Sequence, residues 1–253
     1  MINHSKMKLG KRAPRHDPRT LQLGNYLKAD LLPTPPPVVD WTPKVKNWGM
    51  MKNDSIGDCT CAAAGHLIME WTANASREAT PPDAAIVKAY AAITGYNPVT
   101  GANDNGATET DVLNYWRTKG IGGHKIIAYA ALEPKNHDHI KDSVYLLGDV
   151  YIGLALPLSA QHQVVWTVPP GGPTGSGAPG SWGGHAVPVV GYDSRGLTVV
   201  TWGALKTMTW SFWEVYCDEA YAVLSHDWIG VKGNAPEGVD LSTLLKDLQS
   251  LTH

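Results

Sequence analysis

The sequence predicts an α+β fold, a helical half packed against a mostly antiparallel β-sheet half. Two observations predict it: helical periodicity is concentrated between Asp58 and Lys119, and segments rich in Val, Ile, Tyr and Trp follow it. A third sets the scale. With 253 residues, 43% of them hydrophobic, ten Trp and ten Tyr, the chain has apolar matter for one sizeable core with tails. Its 26 Gly and 18 Pro imply long irregular connections.

Residues 1–38 read as an extended arm. Lys6, Lys8, Lys11, Arg12, Arg15 and Arg19 cluster there, and Pro33, Pro35, Pro36 and Pro37 close it in polyproline-like form. With few apolar anchors such an arm cannot order itself alone, so contact with other chains is expected, in a homo-oligomer or a larger assembly. An arm lying across its own cleft would argue instead for autoinhibition. The body, residues 39–232, begins at Val39-Asp40-Trp41. From Asp58, a candidate cap, Ala62, Ala63, Ala64, Leu67, Ile68 and Trp71 recur at helical spacing, their small residues marking a central, buried helix. A second helix is expected over about Pro82–Thr94. A third runs from the capping box Thr108-Glu109-Thr110-Asp111 to Lys119, after a Gly/Asn-rich loop.

Strands are expected at 123–131, 144–156, 163–168, 185–192, 196–202 and 220–225. The Gly/Pro/Ser stretch 169–184 lies between strands and reads as a long surface loop. In the tail, residues 233–253, Leu241, Leu244, Leu245, Leu248 and Leu251 form one face of a short amphipathic helix, which must pack on the body or on another chain.

The chemistry is carried by two distant segments. Gly57-Asp58-Cys59-Thr60 puts a thiol at a helix start, and Gly184-His185-Ala186-Val187 puts an imidazole on an apolar strand. A free thiol titrates near roughly 8.5, and a helix N-terminus together with a protonated His185 would lower that value. Such a pair attacks carbonyl carbon, and the imidazolium then protonates the leaving amine.

These segments, with Asp40-Trp41, Asn53, Val190-Gly191-Tyr192 and Trp202-Gly203 in the same order, resemble the papain-like cysteine peptidase family over roughly residues 38–225. The chain also resembles the divergent papain-like proteins of tailed bacteriophages and prophages. The resemblance implies a central Cys-bearing helix, Cys59 as nucleophile and His185 as general base and acid. It also implies Asn53, in place of a Gln, as oxyanion donor, and Trp202 as a shield. The family's orienting Asn is missing: Val200 stands in strict register, and Thr201 serves after a one-residue slip.

The activity so implied is hydrolysis of a peptide bond through a thioester. The alternatives are a catalytically weak or inactive fold retained as an assembly component of a phage virion, or a peptidoglycan amide hydrolase. The expected partners are a peptide or peptidoglycan substrate, and other chains bound through residues 1–38 and the tail.

Other readings are weaker. Cys59 or Cys61 can be plain packing residues, and the Cys59–Cys61 spacing lacks the second pair a zinc site needs. His137-Asp138-His139 reads as a solvated turn, His66 and His124 as structural, and His162 as a loop residue near the site. The Trp-rich run from Trp202 to Tyr216 reads as core. No metal or cofactor is expected. A net charge of −2 offers no general attraction to nucleic acid or anionic membrane. Three Cys, a polar N-terminus and interruption of the apolar run 143–158 by glycines and Asp149 suit a chain made in a reducing cytoplasm, which the phage resemblance implies is that of a bacterial host.

Overall fold

The computed structural model describes residues 4–75, 77–232 and 236–250. Its sheet has the order β2 (Ile126–Ala131), β7 (Cys217–Ser225), β3 (Val150–Leu156), β4 (Gly183–Tyr192), β5 (Gly196–Thr201) and β6 (Ala204–Thr209). A short strand, β1 (Val39–Asp40), adds to β4, and every named pair is antiparallel. Against this sheet lies α1 (Cys59–Ala75), buried from Cys59 through Ala73. Its small residues permit that burial: Gly65 has Met51 and Ile86 in the space a Cβ would take. The other helices of this half are α2 (Asp83–Thr94) and α3 (Glu109–Thr118), which Thr108 caps by accepting the Asp111 N–H at 3.2 Å. Trp71 of α1 stacks on Trp116 of α3 with ring centroids 5.4 Å apart, joining the two helices inside the core.

Several expected elements differ. The first part of the expected strand 144–156 belongs to α4 (His137–Leu147). Asn136 caps that helix through the His139 N–H, and Ile140, Val144 and Leu147 are buried at helical spacing until Gly148 stops it. His137-Asp138-His139 is thus a helix start, and the His137 ring stacks on Trp210 and bonds Glu214 at 2.8 Å. Segment 163–168 makes only an isolated bridge, Trp166 to Met208. Its partner β6, Ala-Leu-Lys-Thr-Met-Thr, has no apolar alternation, burying Lys206 and Met208 while exposing Leu205, and is absent from the expected strands. The Trp-rich run forms α5 (Trp210–Tyr216), with Phe212, Trp213 and Tyr216 in the core. The helix α6 (His226–Lys232) follows β7 and packs on α1.

The arm is the largest correction. It lies on its own body, anchored by Leu23 and Tyr26, both buried, and by the partly buried Met7, Leu9, Leu21 and Leu27. These scattered apolar residues dock the arm on the body of its own chain. The expected C-terminal helix is present as α7 (Leu241–Ser250). It buries Leu244 and partly buries Leu241, Leu245 and Leu248, while Tyr26 donates to Asp247 at 3.0 Å. Its leucine face therefore meets the arm of the same chain. Leu251 lies outside the described residues.

Candidate active site

Cys59 is the first residue of α1, where backbone N–H groups lack intrahelical partners. His185 sits on β4 opposite Leu154 of β3. Helix and strand bring the two segments together: Cys59 Sγ accepts a hydrogen bond at 3.4 Å from the N–H of Ala186, the residue after His185. The imidazole divides its nitrogens. Nε2 lies 2.7 Å from Thr201 Oγ1, whereas Nδ1 is buried with no hydrogen-bond partner.

The turn between β5 and β6 decides what surrounds that ring. Thr201 pairs with Ala204 across the two-residue loop Trp202-Gly203, whose φ values are 46° and 72°. Positive φ at both central residues matches the type I′ hairpin, which follows the natural strand twist. A bulky residue rarely takes this conformation, and here it lays the Trp202 indole on His185, with centroids 4.4 Å apart and planes at 17°. Trp182 and Trp166 enclose the far side of the indole. Val200 is core, 1% exposed, so Thr201 is the residue that meets the imidazole.

Asn53 is also buried here, its amide donating to the Ile56 carbonyl at 3.3 Å and lying beside Asp58. Asp58 does not cap α1 with its side chain. Neither carboxylate oxygen has a hydrogen-bond partner, and burial pushes this carboxyl up to about 8. Cys61 is fully buried on α1, and His66 is a buried structural histidine bonded to the Gly49 carbonyl at 3.0 Å. His124 pairs with Asp227 at 2.8 Å. His162 ends the short turn Leu158–His162, close to His4 of the arm. Among the described residues, no cluster of three or more His, Cys, Asp or Glu has an arrangement that could hold a metal ion. No helix among them is long and apolar enough to cross a membrane.

The groove between the two motifs is occupied by the chain's own arm. Ala107 N–H donates to the Gly10 carbonyl at 2.8 Å, Arg12 N–H to the Ala107 carbonyl at 2.9 Å, and Lys11 N–H to the Gly184 carbonyl at 3.1 Å. The passage is so narrow that a methyl group on Gly10 would overlap the Gly57 carbonyl, and one on Gly184 would overlap the Lys11 carbonyl. Asp104 and Tyr90 brace the near wall: Asp104 accepts from the Gly57 N–H at 2.9 Å and from the Tyr90 hydroxyl at 2.8 Å. Trp202 Nε1 donates to the Lys8 carbonyl, and the His4 ring lies 5.4 Å from the indole.

Covering the groove reverses the expected electrostatics. Cys59 and His185 are each 1% exposed. Burial pushes the Cys59 thiol up to about 12, only partly opposed by the N–H groups of Ala186 and Gly10, with Asp58 adding to the rise. Burial also pushes His185 down to about 3. The expectation of a depressed thiol pKa therefore does not describe the covered site, where burial disfavours the charged form of both groups. Sequence reasoning missed Ala107, Asp104, Trp182 and the special place of Lys11 among the arm's cations. The only signal for Lys11 was the acidic pair Asp218-Glu219 ahead of an apolar strand.

No protein-family model and no curated protein matches the sequence. Solved structures do. Xylellain, a cysteine protease from Xylella fastidiosa, is similar with a TM-score of 0.68 and 18% identity, over 87% of this chain and 97% of its own. A procathepsin B from Trypanosoma congolense is similar with a TM-score of 0.60 and 12% identity, over 88% of each chain. Procathepsin L 3 of the Tenebrio molitor larval midgut follows with a TM-score of 0.57 and 12% identity, over 87% of this chain and 77% of its own. With a Cys-bearing helix packed on this antiparallel sheet, the chain has the papain-like cysteine protease fold.

Proposed function

We propose that this chain is a cysteine peptidase that hydrolyses peptide bonds with Cys59 and His185 and is held latent by its own N-terminal arm. One observation carries the reading. An extended polypeptide segment, Leu9–Arg12, is bound by main-chain hydrogen bonds across the thiol, in a groove whose walls at Gly57 and Gly184 pass only backbone. A groove that binds its own extended chain this way has the shape and donors to bind another.

In the uncovered site His185 takes the Cys59 proton, and the thiolate adds to a substrate carbonyl carbon. The imidazolium then protonates the departing amine, leaving a thioester that water cleaves with His185 as base. Thr201 Oγ1 holds Nε2, and Trp202 shields that hydrogen bond from water. The Cys59 N–H, with the Asn53 amide freed from Ile56, would face the developing oxyanion. The arm escapes cleavage because its geometry is unproductive: the Gly10 carbonyl is held by Ala107, and the Gly10 N–H faces the sulfur. Since the arm's contacts lie within its own chain, they offer no support for a virion-assembly role. Burial that disfavours charge on both Cys59 and His185 is what favours a catalytically inactive fold.

The full chain carrying Gly10→Ala decides between them, because the added methyl displaces the arm and leaves the groove walls unchanged. Cys59 in this variant is expected to react with iodoacetamide at pH 6 at least about a hundredfold faster than in the wild type, as expected when a local closure worth roughly 3 kcal/mol is lost. A quenched fluorescent peptide library should be cleaved, with loss of cleavage on adding Cys59→Ala and loss of the excess alkylation on adding His185→Ala. An exposed thiol of ordinary reactivity that cleaves nothing would establish the inactive fold.

A further inference from the structure

Of the arm's seven Lys and Arg residues, Lys11 alone is buried, its side chain 1% exposed. It enters a pocket that the body builds from three carboxylates on two elements. Lys11 Nζ lies 2.8 and 2.9 Å from the two Asp218 oxygens and 2.9 Å from Glu219 Oε1, all on β7. Glu109, in the first turn of α3, is fully buried close by, with neither oxygen hydrogen-bonded. Burial alone would pull the Lys11 ammonium down. Glu109, Glu219 and Asp218 outweigh it and hold the charge in place. Gly153 of β3 forms the floor, where a side chain would collide with the lysine stem.

The pocket stands beside the reaction site. Lys11 follows Gly10, the residue over Cys59 Sγ, and its backbone is clamped between Ala107 and Gly184. Those clamps are main-chain groups, so any extended chain can use them, and side chains alternate at the same spacing in either chain direction. The carboxylates belong to the body and stay when the arm leaves. Three acids against one arm cation are more than an anchor needs, and Asp218 keeps 29% exposure even with the arm docked.

We infer, resting on the peptidase reading above, that Asp218, Glu219 and Glu109 form a specificity pocket for a basic side chain adjacent to the residue at the thiol. The substrate class is then peptides with Lys or Arg at that place, and Lys11 is the internal mimic that fills it. An apolar side chain leaves buried carboxylates unpaired, and an acidic one adds like charge, so both are rejected.

The test uses full-length Gly10→Ala protein and two readouts. First, peptides identical except for Lys, norleucine or Glu at the pocket position are compared by kcat/KM. The Lys peptide should lead norleucine by about thirtyfold or more, the range for truncating one partner of a buried charge pair. Second, the synthetic arm segment 4–15, with Lys11 or norleucine at position 11, is titrated against the same protein by tryptophan fluorescence, and the same preference should appear in Kd. Adding Asp218→Asn and Glu219→Gln should bring both ratios toward one. Equal binding of the Lys and norleucine segments overturns the pocket, whatever the hydrolysis shows. Lys-selective binding without cleavage of any peptide leaves the pocket standing and overturns the peptidase reading instead.

Discussion

One arm is held at two places by opposite physics. At Leu23–Tyr26 it is fixed by burial: Leu23 is 1% exposed, Tyr26 is 5% exposed, and the leucine face of α7 closes over them. At Leu9–Arg12 it is fixed by main-chain hydrogen bonds and one buried ion cluster, with hardly any apolar side chain beyond Leu9. Apolar burial is non-directional and insensitive to mild acid, so the first anchor tethers the arm persistently. Hydrogen bonds and ion pairs are directional and respond to protonation, so the second can open while the first holds. The arm is thus built as a tethered plug. Its exposed cations add little to either anchor: Arg15 pairs with Asp111 at 3.1 Å on the surface, where such pairs contribute about 0–1 kcal/mol.

The comparison breaks first at the tether. Leu23→Ala should destabilise the chain by about 2–5 kcal/mol, the range for truncating a buried leucine, read as a lower Tm and denaturant midpoint. Gly10→Ala should shift the same transition by no more than the roughly 3 kcal/mol of the lost closure while exposing Cys59. If Leu23→Ala frees the thiol as fully as Gly10→Ala does, the two anchors are one cooperative unit and the tether picture is wrong.

Acid should sharpen it next. Burial holds His185 near about 3, against an ordinary 6.5, and undocking the arm is expected to let the imidazole return toward that ordinary value. Protons then bind the undocked state preferentially, so docking is fully favoured above 6.5 and weakens as pH falls toward 3. The pocket works in the same direction. Lys11 lowers the Glu109 and Glu219 carboxyls against the rise that burial causes, and its departure lets them take protons more readily. The ratio of wild-type to Gly10→Ala alkylation rates should rise as pH drops below 6.5, by up to about tenfold per unit for each proton taken up. A ratio flat from pH 7 to 5 would show that the plug does not sense these groups.

The smallest effect is expected at Thr201. In the Gly10→Ala background Thr201→Val should lower kcat/KM by up to roughly tenfold, the worth of one hydrogen bond, far less than the loss on Cys59→Ala. Equal losses would make Thr201 part of the proton transfer rather than an orienting group.

How far the sequence alone reaches depends on the range of the forces involved. Cys59, His185, the central helix and the order of helices before strands were legible, because caps, helical spacing and apolar strand runs are local signals. Residues 144–147 read as the start of a strand because Val144-Tyr145-Leu146-Leu147 is a short apolar run with no period of its own, and the Asn136 cap makes them the end of a helix. The edge strand β6 was missed because half its residues face water. The choice of Thr201 over Val200 at His185 rests on the positive-φ turn at Trp202-Gly203 and the β5–β6 register, which neighbouring residues do not announce.

The sequence by itself determined which groups could react and which elements would carry them. The tertiary structure decided their state, because pKa values follow burial and burial follows distant contacts. Residues 9–11 lie nearly fifty positions from Cys59 in the chain, yet they lie over the thiol, and burial pushes it up. Lys11 differs from the other six arm cations in meeting Asp218 and Glu219, more than two hundred positions away.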